Sequence, residues 1–212
     1  MTRVTCQISI SLDGYVAGPD QTLDEPLGKG GERLHQWAFQ TEGWRKSHGL
    51  EGGERNVDSE IAAKSLDNLG AFVMGRKMFG GGEGPHDESW RGWWGEDPVY
   101  HAPVYVLTHH PREPLEMEGG TTFHFVTDGF ESALEQARAA AGDKDVGVAG
   151  GASTVNQALA AGALDEVHLH VVPITLGAGE RLFEGVGDVE LKPAEVVASP
   201  AVTHIRYQRC PG

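Results

Sequence analysis

Short apolar runs alternate with helix-like patterns through the middle of the chain, and this alternation limits the fold more than any other feature. Runs typical of buried β-strands lie at 4–10, 71–75, 101–111, 121–127 and 145–151. Between them, 59–69 and 129–143 space their apolar residues at helical intervals. Strands that alternate with helices predict an α/β fold with a mainly parallel sheet, because each helix carries the chain back across the sheet.

The helix ends are marked by local signals. Asp58 and Ser59 are candidate N-caps for the first helix, which Gly70 ends. The second helix is predicted to face inward with the following residues: Phe130, Ala133, Leu134, Ala137 and Ala141.

The C-terminal part lacks this alternation. The runs 165–177, 195–199 and 202–209 are strand-like and leave little room for crossover helices. We expect them to pair antiparallel and to close one edge of the sheet. No repeat or low-complexity linker divides the chain, so we interpret residues 1–212 as one domain.

One segment interrupts the pattern early in the chain. Residues 20–58 are rich in glycine, charge and tryptophan and are interpreted as an insertion or lid. Within it, Leu34, Trp37, Ala38 and Trp44 recur at nearly helical intervals and predict one helix over 32–48.

Composition excludes several classes of protein. A hydrophobic fraction of 39% and a charged fraction of 23%, without a long apolar run, predict a soluble cytoplasmic protein with no membrane role. The net charge of −14 argues against a nucleic-acid partner. The two cysteines, Cys6 and Cys210, have no neighbouring partners, so neither a disulfide framework nor a zinc knuckle is indicated.

Candidate functional residues follow the predicted strands, since ligands of open α/β sheets bind beyond the carboxyl ends of the strands. Glycines allow close approach of the backbone, helix N-termini offer free N–H groups, and basic side chains supply positive charge. The segments with these properties are 11–15, 75–78, 108–112 and 150–154. Three of them, 75–78, 108–112 and 150–154, suit a phosphate-bearing ligand.

Three motifs in this order carry a resemblance: SISLDGYVAGPD, VMGRKMF and GVAGGASTVNQALAAGALDEVHLHVVPITLGAGERLFEG. The chain resembles the dihydrofolate reductase-like superfamily, in particular the C-terminal reductase domain of bifunctional riboflavin-biosynthesis deaminase-reductases. The resemblance implies a three-layer fold with a mainly parallel sheet of about eight strands and antiparallel C-terminal strands. It further implies an NADPH-dependent reductase that forms a homodimer.

The same resemblance implies the site residues. In the family, the segments after the second and third strands and a cis glycine pair hold the cofactor. Carried over, the NADPH-binding residues are Gly75, Arg76, Lys77, Met78, Thr108, His109, His110, Gly150, Gly151, Ala152, Ser153 and Thr154.

The substrate half is expected at the loop after the first strand. Asp13 is the candidate catalytic residue, as an orienting carboxylate or as a proton relay through water, although Asp-Gly is also a common turn pair. Gly14 and Tyr15 are candidate substrate-binding neighbours. Asp58 lies roughly where folate reductases hold their substrate.

Two departures from the family pattern bear on the substrate. Riboflavin-pathway reductases have lysine and glutamate where this chain has Tyr15 and Ala149. We therefore predict hydride transfer to a small heterocyclic or conjugated substrate. The open alternatives are 5-amino-6-(5-phosphoribosylamino)uracil reductase and a non-catalytic nucleotide-binding or sensing protein.

Tryptophans and histidines leave two further expectations. The tryptophans in or near the insertion suit either a more apolar pocket or core packing and subunit contacts: Trp37, Trp44, Trp90, Trp93 and Trp94. His168 and His170 share a strand face, but no acidic or cysteine partner is evident. We interpret that face as solvated or subunit-facing and predict no metal site.

Overall fold

The computed structural model of the chain describes residues 2–80 and 84–210. The strands in chain order are β1 (Val4–Ser11), β2 (Tyr15–Ala17), β3 (Leu69–Gly75), β4 (Pro103–Leu107), β5 (Leu115–Glu116), β6 (Thr122–Val126), β7 (Asp145–Gly150), β8 (Glu166–Val172), β9 (Glu180–Arg181), β10 (Leu191–Ala198) and β11 (Thr203–Arg209). The α-helices are α1 (Gln36–Phe39), α2 (Glu42–Ser47), α3 (Val57–Ala63), α4 (Arg76–Phe79), α5 (Phe130–Ala141) and α6 (Ala152–Ala160).

Within the described residues, nine strands form one sheet in the order β10-β11-β8-β1-β7-β3-β4-β6-β5. The six strands from β8 to β6 in this order pair parallel, whereas β10, β11 and β5 make antiparallel pairs. This confirms the predicted α/β class, the mainly parallel sheet and the antiparallel C-terminal strands. The carboxyl ends of β7, β3, β4 and β6 are neighbours on one edge.

The two faces of the sheet are covered differently. On one face, α5 and α6 pack on alternate strand residues such as Val4, Cys6 and Val73 in one apolar cluster. On the other face, Phe72 and Met74 pack with Phe79, Tyr100 and other residues of a second cluster. The three layers follow, as expected, from strands that are apolar on both faces.

Helix α5 bears out the periodicity analysis. The five residues predicted to face inward are all buried, and Ala133 and Ala137 are fully inaccessible. Small residues at these positions let the helix lie close to β3 and β4.

The expected antiparallel pairing of all the C-terminal strands is wrong for β8. This strand pairs parallel with β1 and antiparallel only with β11. The preceding helix α6 provides the crossover that parallel pairing needs, so β8 completes a β-α-β unit with β7.

The single helix expected over 32–48 is also wrong. The segment forms a short 3₁₀ helix (Gly31–Leu34), α1 and α2. Thr41 separates α1 from α2, since its side chain accepts a hydrogen bond from the Trp44 amide and caps α2. Gly43 is required there, because a β-carbon would lie 2.1 Å from the Ser59 carbonyl oxygen of α3.

Helix α3 begins earlier and ends earlier than the predicted 59–69. Asn56 is the N-cap, accepting a hydrogen bond from the Ser59 amide, and the helix ends at Ala63. Asp58 and Ser59, predicted as caps, lie instead in its first turn and are buried. The sequence does not single out Asn56, because three of four successive residues offer cap-type side chains: Asn56, Asp58 and Ser59.

Across the two described stretches of the chain, every helix is too short or too polar to cross a lipid bilayer.

Candidate functional site

A cavity of about 1090 Å³ lies at the carboxyl edge of the parallel strands. Its volume is slightly above the range of roughly 300–1,000 Å³ that is usual for small-molecule and cofactor sites. Two groups of residues form most of its lining. The strand-end wall consists of the lining residues within 75–78, 107–110, 126–130 and 149–154, and the N-terminal wall consists of those within 16–50.

The strand-end wall contains all twelve residues that the sequence predicted to bind the cofactor. They come from segments that are far apart in the chain but follow β3, β4 and β7, which lie side by side in the sheet. The structure therefore brings the predicted cofactor residues together in one cavity.

Glycines shape the middle of this wall. A β-carbon on Gly75 would lie 2.6 Å from Thr154 Oγ1, so only glycine lets β3 approach the start of α6 this closely. At Gly151, a β-carbon would meet no protein atom within 4 Å. The backbone at Gly151 is therefore open to the cavity. A ligand that binds directly against the main chain needs such an open position.

The peptide bond between Gly150 and Gly151 is cis, as the resemblance implies. Gly151 is the N-cap of α6, and its carbonyl accepts hydrogen bonds from the Thr154 and Val155 amides. The first amides of α6 have no acceptor within the helix and carry its positive dipole end. This wall can therefore bind an anionic group.

Two basic side chains follow β3. Arg76 is partly buried, and desolvation together with the nearby Arg112 lowers its pKa. Lys77 is exposed, and its Nζ lies 2.8 Å from Glu180 Oε1 in a surface ion pair. Arg76 is the better placed of the two to act on a bound anion, since partial burial reduces screening by water.

The segment after β4 turns back on itself. The Thr108 side chain accepts a hydrogen bond from the His110 amide at 3.1 Å, and the Thr108 amide donates to Val126. Arg112, a few residues on, binds the Trp90 and Glu88 carbonyl oxygens instead of facing the cavity. This arginine holds the 88–90 loop in place, so the positive charge in the wall comes from 75–78.

Sequence reasoning missed the part of the wall that follows β6. Thr127, Gly129 and Phe130 line the cavity between the end of β6 and the start of α5. The signal for this part is positional, because these residues follow the predicted strand over 121–127.

The N-terminal wall is made of apolar and aromatic side chains. Trp44 stacks on His48 with ring centroids 3.8 Å apart and packs against Phe39 at 4.8 Å. His35 also lines the cavity, and burial lowers its pKa to about 4, so that its ring is neutral at pH 7. Within the described residues this wall contains neither lysine nor arginine.

Some of the tryptophans line the cavity and others pack in the core or hold loops, so each of these two expectations applies to part of the group. Trp44, Trp93 and Trp94 line the cavity. Trp90 donates a hydrogen bond to the Phe79 carbonyl, and Trp37 packs on the histidines of β8 and β11. An apolar pocket and core packing are therefore both present.

The predicted substrate residues are not among the residues that line this cavity. The Asp13 carboxylate accepts hydrogen bonds from the Ser11 hydroxyl at 2.6 Å and from the amides of Leu176 and Gly177 at 3.1 and 2.7 Å. These bonds, the one from Ser11 first, lower its pKa to about 2. Gly14 has a φ of +90°, which favours glycine in this turn.

Tyr15 and Asp58 are also engaged with protein groups. The Tyr15 hydroxyl accepts a hydrogen bond from Arg181, whose guanidinium lies 5.2 Å from the tyrosine ring. Asp58 is buried, with Oδ1 at 3.0 Å from His204 Nε2 and Oδ2 at 3.0 Å from the Ser199 hydroxyl.

The interpretation of the His168 and His170 face as solvated or subunit-facing is wrong for His170, whereas His168 is half-buried and lines a second, smaller cavity. His170 is 5% exposed and lies beneath the Trp37 ring. The neighbouring strand β11 places His204 directly opposite His170, a partner that lies 34 residues further along the chain.

Comparisons with known proteins agree with this fold. A riboflavin biosynthesis protein of Shewanella sp. PV-4 covers 99% of the chain at 20% identity and a TM-score of 0.62, with 100% of its own length matched. A diaminohydroxyphosphoribosylaminopyrimidine deaminase/5-amino-6-(5-phosphoribosylamino)uracil reductase of Thermotoga maritima covers 99% of the chain at 14% identity and a TM-score of 0.56, with 57% of its own length matched. A dihydrofolate reductase of Enterococcus faecalis in complex with NADP(H) covers 98% at 14% identity and a TM-score of 0.51, with 96% of its length matched.

A search of curated protein sequences finds no significant match. The profile of the RibD C-terminal domain matches residues 2–205, which is nearly the whole chain. Together with the reductase neighbours, this match identifies an oxidoreductase of the dihydrofolate reductase-like type. The chain belongs to the RibD C-terminal domain family.

Proposed function

We propose that this protein is an NADPH-dependent reductase that transfers a hydride to a small heterocyclic or conjugated substrate. The observation that carries the proposal is the convergence of three predicted cofactor segments on the strand-end wall of one large cavity. A bound NADPH supplies the hydride; the protein binds and orients the cofactor and the substrate.

The strand-end wall fits a dinucleotide. The exposed backbone at Gly151 and the N-terminus of α6 suit a pyrophosphate, which needs close approach and N–H donors. Arg76 suits a phosphate group through a charge-assisted hydrogen bond. The preference for NADPH over NADH is part of the proposal and rests on the basic and hydroxyl groups of Arg76, Thr108, His109 and His110.

The N-terminal wall supports an uncharged substrate. Its aromatic residues Phe39 and Trp44 offer flat apolar surfaces, and neutral His35 adds a hydrogen-bonding group without charge. A planar heterocycle or a conjugated carbonyl compound can stack there.

The family's riboflavin-pathway substrate is the second candidate, favoured by the family match. Two observations weigh against it. Tyr15, in place of the family lysine, is held by Arg181 outside the lining of the cavity, and Ala149, in place of the glutamate, lines the cavity without a polar side chain. A phosphoribosylamino-pyrimidine would find fewer polar partners at both positions.

The roles within the substrate half remain part of the proposal. For Asp13, hydrogen bonds from two amides and a hydroxyl favour an orienting role over proton delivery, because a carboxyl with a pKa of about 2 is ionised at neutral pH. Substrate binding by Gly14, Tyr15 and Asp58 stays a prediction.

Turnover distinguishes the two reductase candidates from a non-catalytic nucleotide-binding or sensing protein. Purified protein is mixed with NADPH and, in turn, with pterins, quinones, conjugated carbonyl compounds and the riboflavin-pathway uracil, and the loss of nicotinamide absorbance is followed. We expect saturable oxidation with a neutral conjugated compound. Oxidation with the phosphoribosylated uracil alone would select the pathway reductase, and tight NADPH binding without any turnover would select the sensing protein.

Two further proposals accompany this function. A homodimer through β10 and β11 is supported by the exposed outer strand β10, on which Val196 is 60% exposed. Sedimentation velocity tests it, and a mass equal to one chain at micromolar concentration would contradict it. A cytoplasmic location is supported by two free thiols, one of them the buried Cys6.

A further inference from the structure

A group of three histidines lies on the sheet face opposite α5 and α6, apart from the residues that line the large cavity. His168 and His170 are two residues apart on β8, and His204 of β11 pairs directly with His170. One ring nitrogen of each lies within 4.8 Å of the others. In the described part of the chain, no other group of three metal-ligating side chains comes this close together.

Hydrogen bonds hold the rings of this group in place. The Asp58 carboxylate accepts the Ser199 hydroxyl on one oxygen and faces His204 Nε2 at 3.0 Å with the other. His204 therefore carries a proton on Nε2, and its Nδ1 lies 2.7 Å from His170 Nδ1. A bound cation would take the place of the proton that these two Nδ1 atoms share.

The surroundings bury and orient these side chains. His170, His204 and Asp58 are all no more than 5% exposed, and the Trp37 ring lies 4.7 and 4.9 Å from the two histidine rings. Imidazoles that are held in this way are ligands that suit zinc and similar transition-metal ions.

His168 provides access from solvent. It lines a second cavity of about 380 Å³ whose charged residues are of both signs, with Glu166 and Glu195 paired to Arg206 and Glu60 nearby in the lining. A cation can enter there, and a water molecule can complete its coordination.

We propose that His168, His170 and His204 bind a divalent transition-metal ion such as Zn²⁺, with Asp58 orienting His204 from behind. Three imidazoles suit zinc, and a carboxylate on the far nitrogen of a ligating histidine is the usual outer partner in such sites. Tetrahedral ligands at roughly 2.0–2.1 Å from zinc lie about 3.3 Å apart, so the His170 and His204 rings separate by roughly 0.6 Å on binding. The ion would anchor Trp37, and with it α1, whose Phe39 forms part of the N-terminal wall.

The test uses the full chain, freed of metal with a chelator and titrated with Zn²⁺ by calorimetry and with Co²⁺ by visible absorption. We expect one equivalent of either ion, a tetrahedral Co²⁺ spectrum with nitrogen ligands, and a Tm that rises with Zn²⁺. His168→Gln, at a half-buried position, is expected to weaken Zn²⁺ binding at least tenfold. His124→Gln, also at a half-buried strand position but outside the group, is the matched control.

Asp58→Asn provides a second test that leaves all three ligands in place. We expect weaker Zn²⁺ binding, because the amide is a poorer acceptor for the His204 Nε2 proton. Absence of stoichiometric Zn²⁺ binding to the wild-type chain, or equal weakening by His124→Gln and His168→Gln, would overturn the site. Because wild-type binding is measured without any mutation, the proposal can fail even if a variant does not fold.

Discussion

The two walls of the large cavity are built in different ways. The strand-end wall is made largely of backbone, glycines and small side chains at the carboxyl ends of β7, β3, β4 and β6. The N-terminal wall is made of aromatic and apolar side chains carried by short helices and loops. The first suits a ligand held by its phosphates, whereas the second suits a flat apolar group, so one cavity can hold two molecules of different chemistry.

The largest expected effect is at the strand-end wall. Gly151→Val should raise the Kd for NADPH at least about 100-fold, because the added side chain occupies space that the cofactor needs. The free protein should fold normally, since no protein atom lies within 4 Å of the new β-carbon. Calorimetric titration checks this, with Ala160→Val at an exposed position of α6 as the control. Normal binding by Gly151→Val would mean that the glycine pair only turns the chain.

Removal of the partly buried positive charge should have the next largest effect. Arg76→Ala should weaken NADPH binding by about 1–3 kcal/mol if a charge-assisted phosphate contact is lost. Arg138→Ala, an exposed arginine on α5, should leave the affinity unchanged. An equal affinity for both variants and the wild type would remove Arg76 from the cofactor site.

A mutation in the N-terminal wall should change the KM of the substrate and not the Kd of the cofactor. Trp44→Ala should raise the KM of the substrate roughly tenfold and leave the Kd of NADPH nearly unchanged, because an apolar contact of one aromatic ring is lost. Leu23→Ala, 51% exposed and outside the cavity in the same segment, is the control. A parallel loss of cofactor affinity would show that the two walls do not act separately.

The smallest effect is expected at Lys77. Its ion pair with Glu180 is exposed, and pairs of this kind contribute about 0–1 kcal/mol. Lys77→Ala should therefore change the Kd for NADPH less than roughly threefold, a difference that high salt should erase. A loss as large as that of Arg76→Ala would assign the phosphate contact to both residues.

The same comparison explains what could be predicted from the sequence. The strand-end wall depends on glycines and basic residues that follow apolar strands. Such local patterns can be recognised in the sequence without knowledge of tertiary contacts. Gly75 and Gly151 were found in this way. The parallel sheet and the buried face of α5 follow from equally local periodicity.

Features that depend on distant partners were not predictable, whereas the start of α3 at Asn56 was a local choice among neighbouring cap candidates. The break between α1 and α2 depends in part on the close packing of α2 on α3 at Gly43. The burial of His170 depends on Trp37 and on His204, which reach it from α1 and β11. The periodicity of apolar residues does not predict contacts between residues that are so far apart in the sequence.

The most direct test of the central claim is a titration of the wild-type protein with NADPH and NADH, followed by tryptophan fluorescence. Trp44, Trp93 and Trp94 line the cavity, so a bound nicotinamide should quench them and receive their excitation energy. We predict saturable one-site quenching with a lower Kd for NADPH than for NADH. A folded protein whose fluorescence shows no saturable change with either nucleotide would contradict the assignment of this cavity to a nicotinamide cofactor.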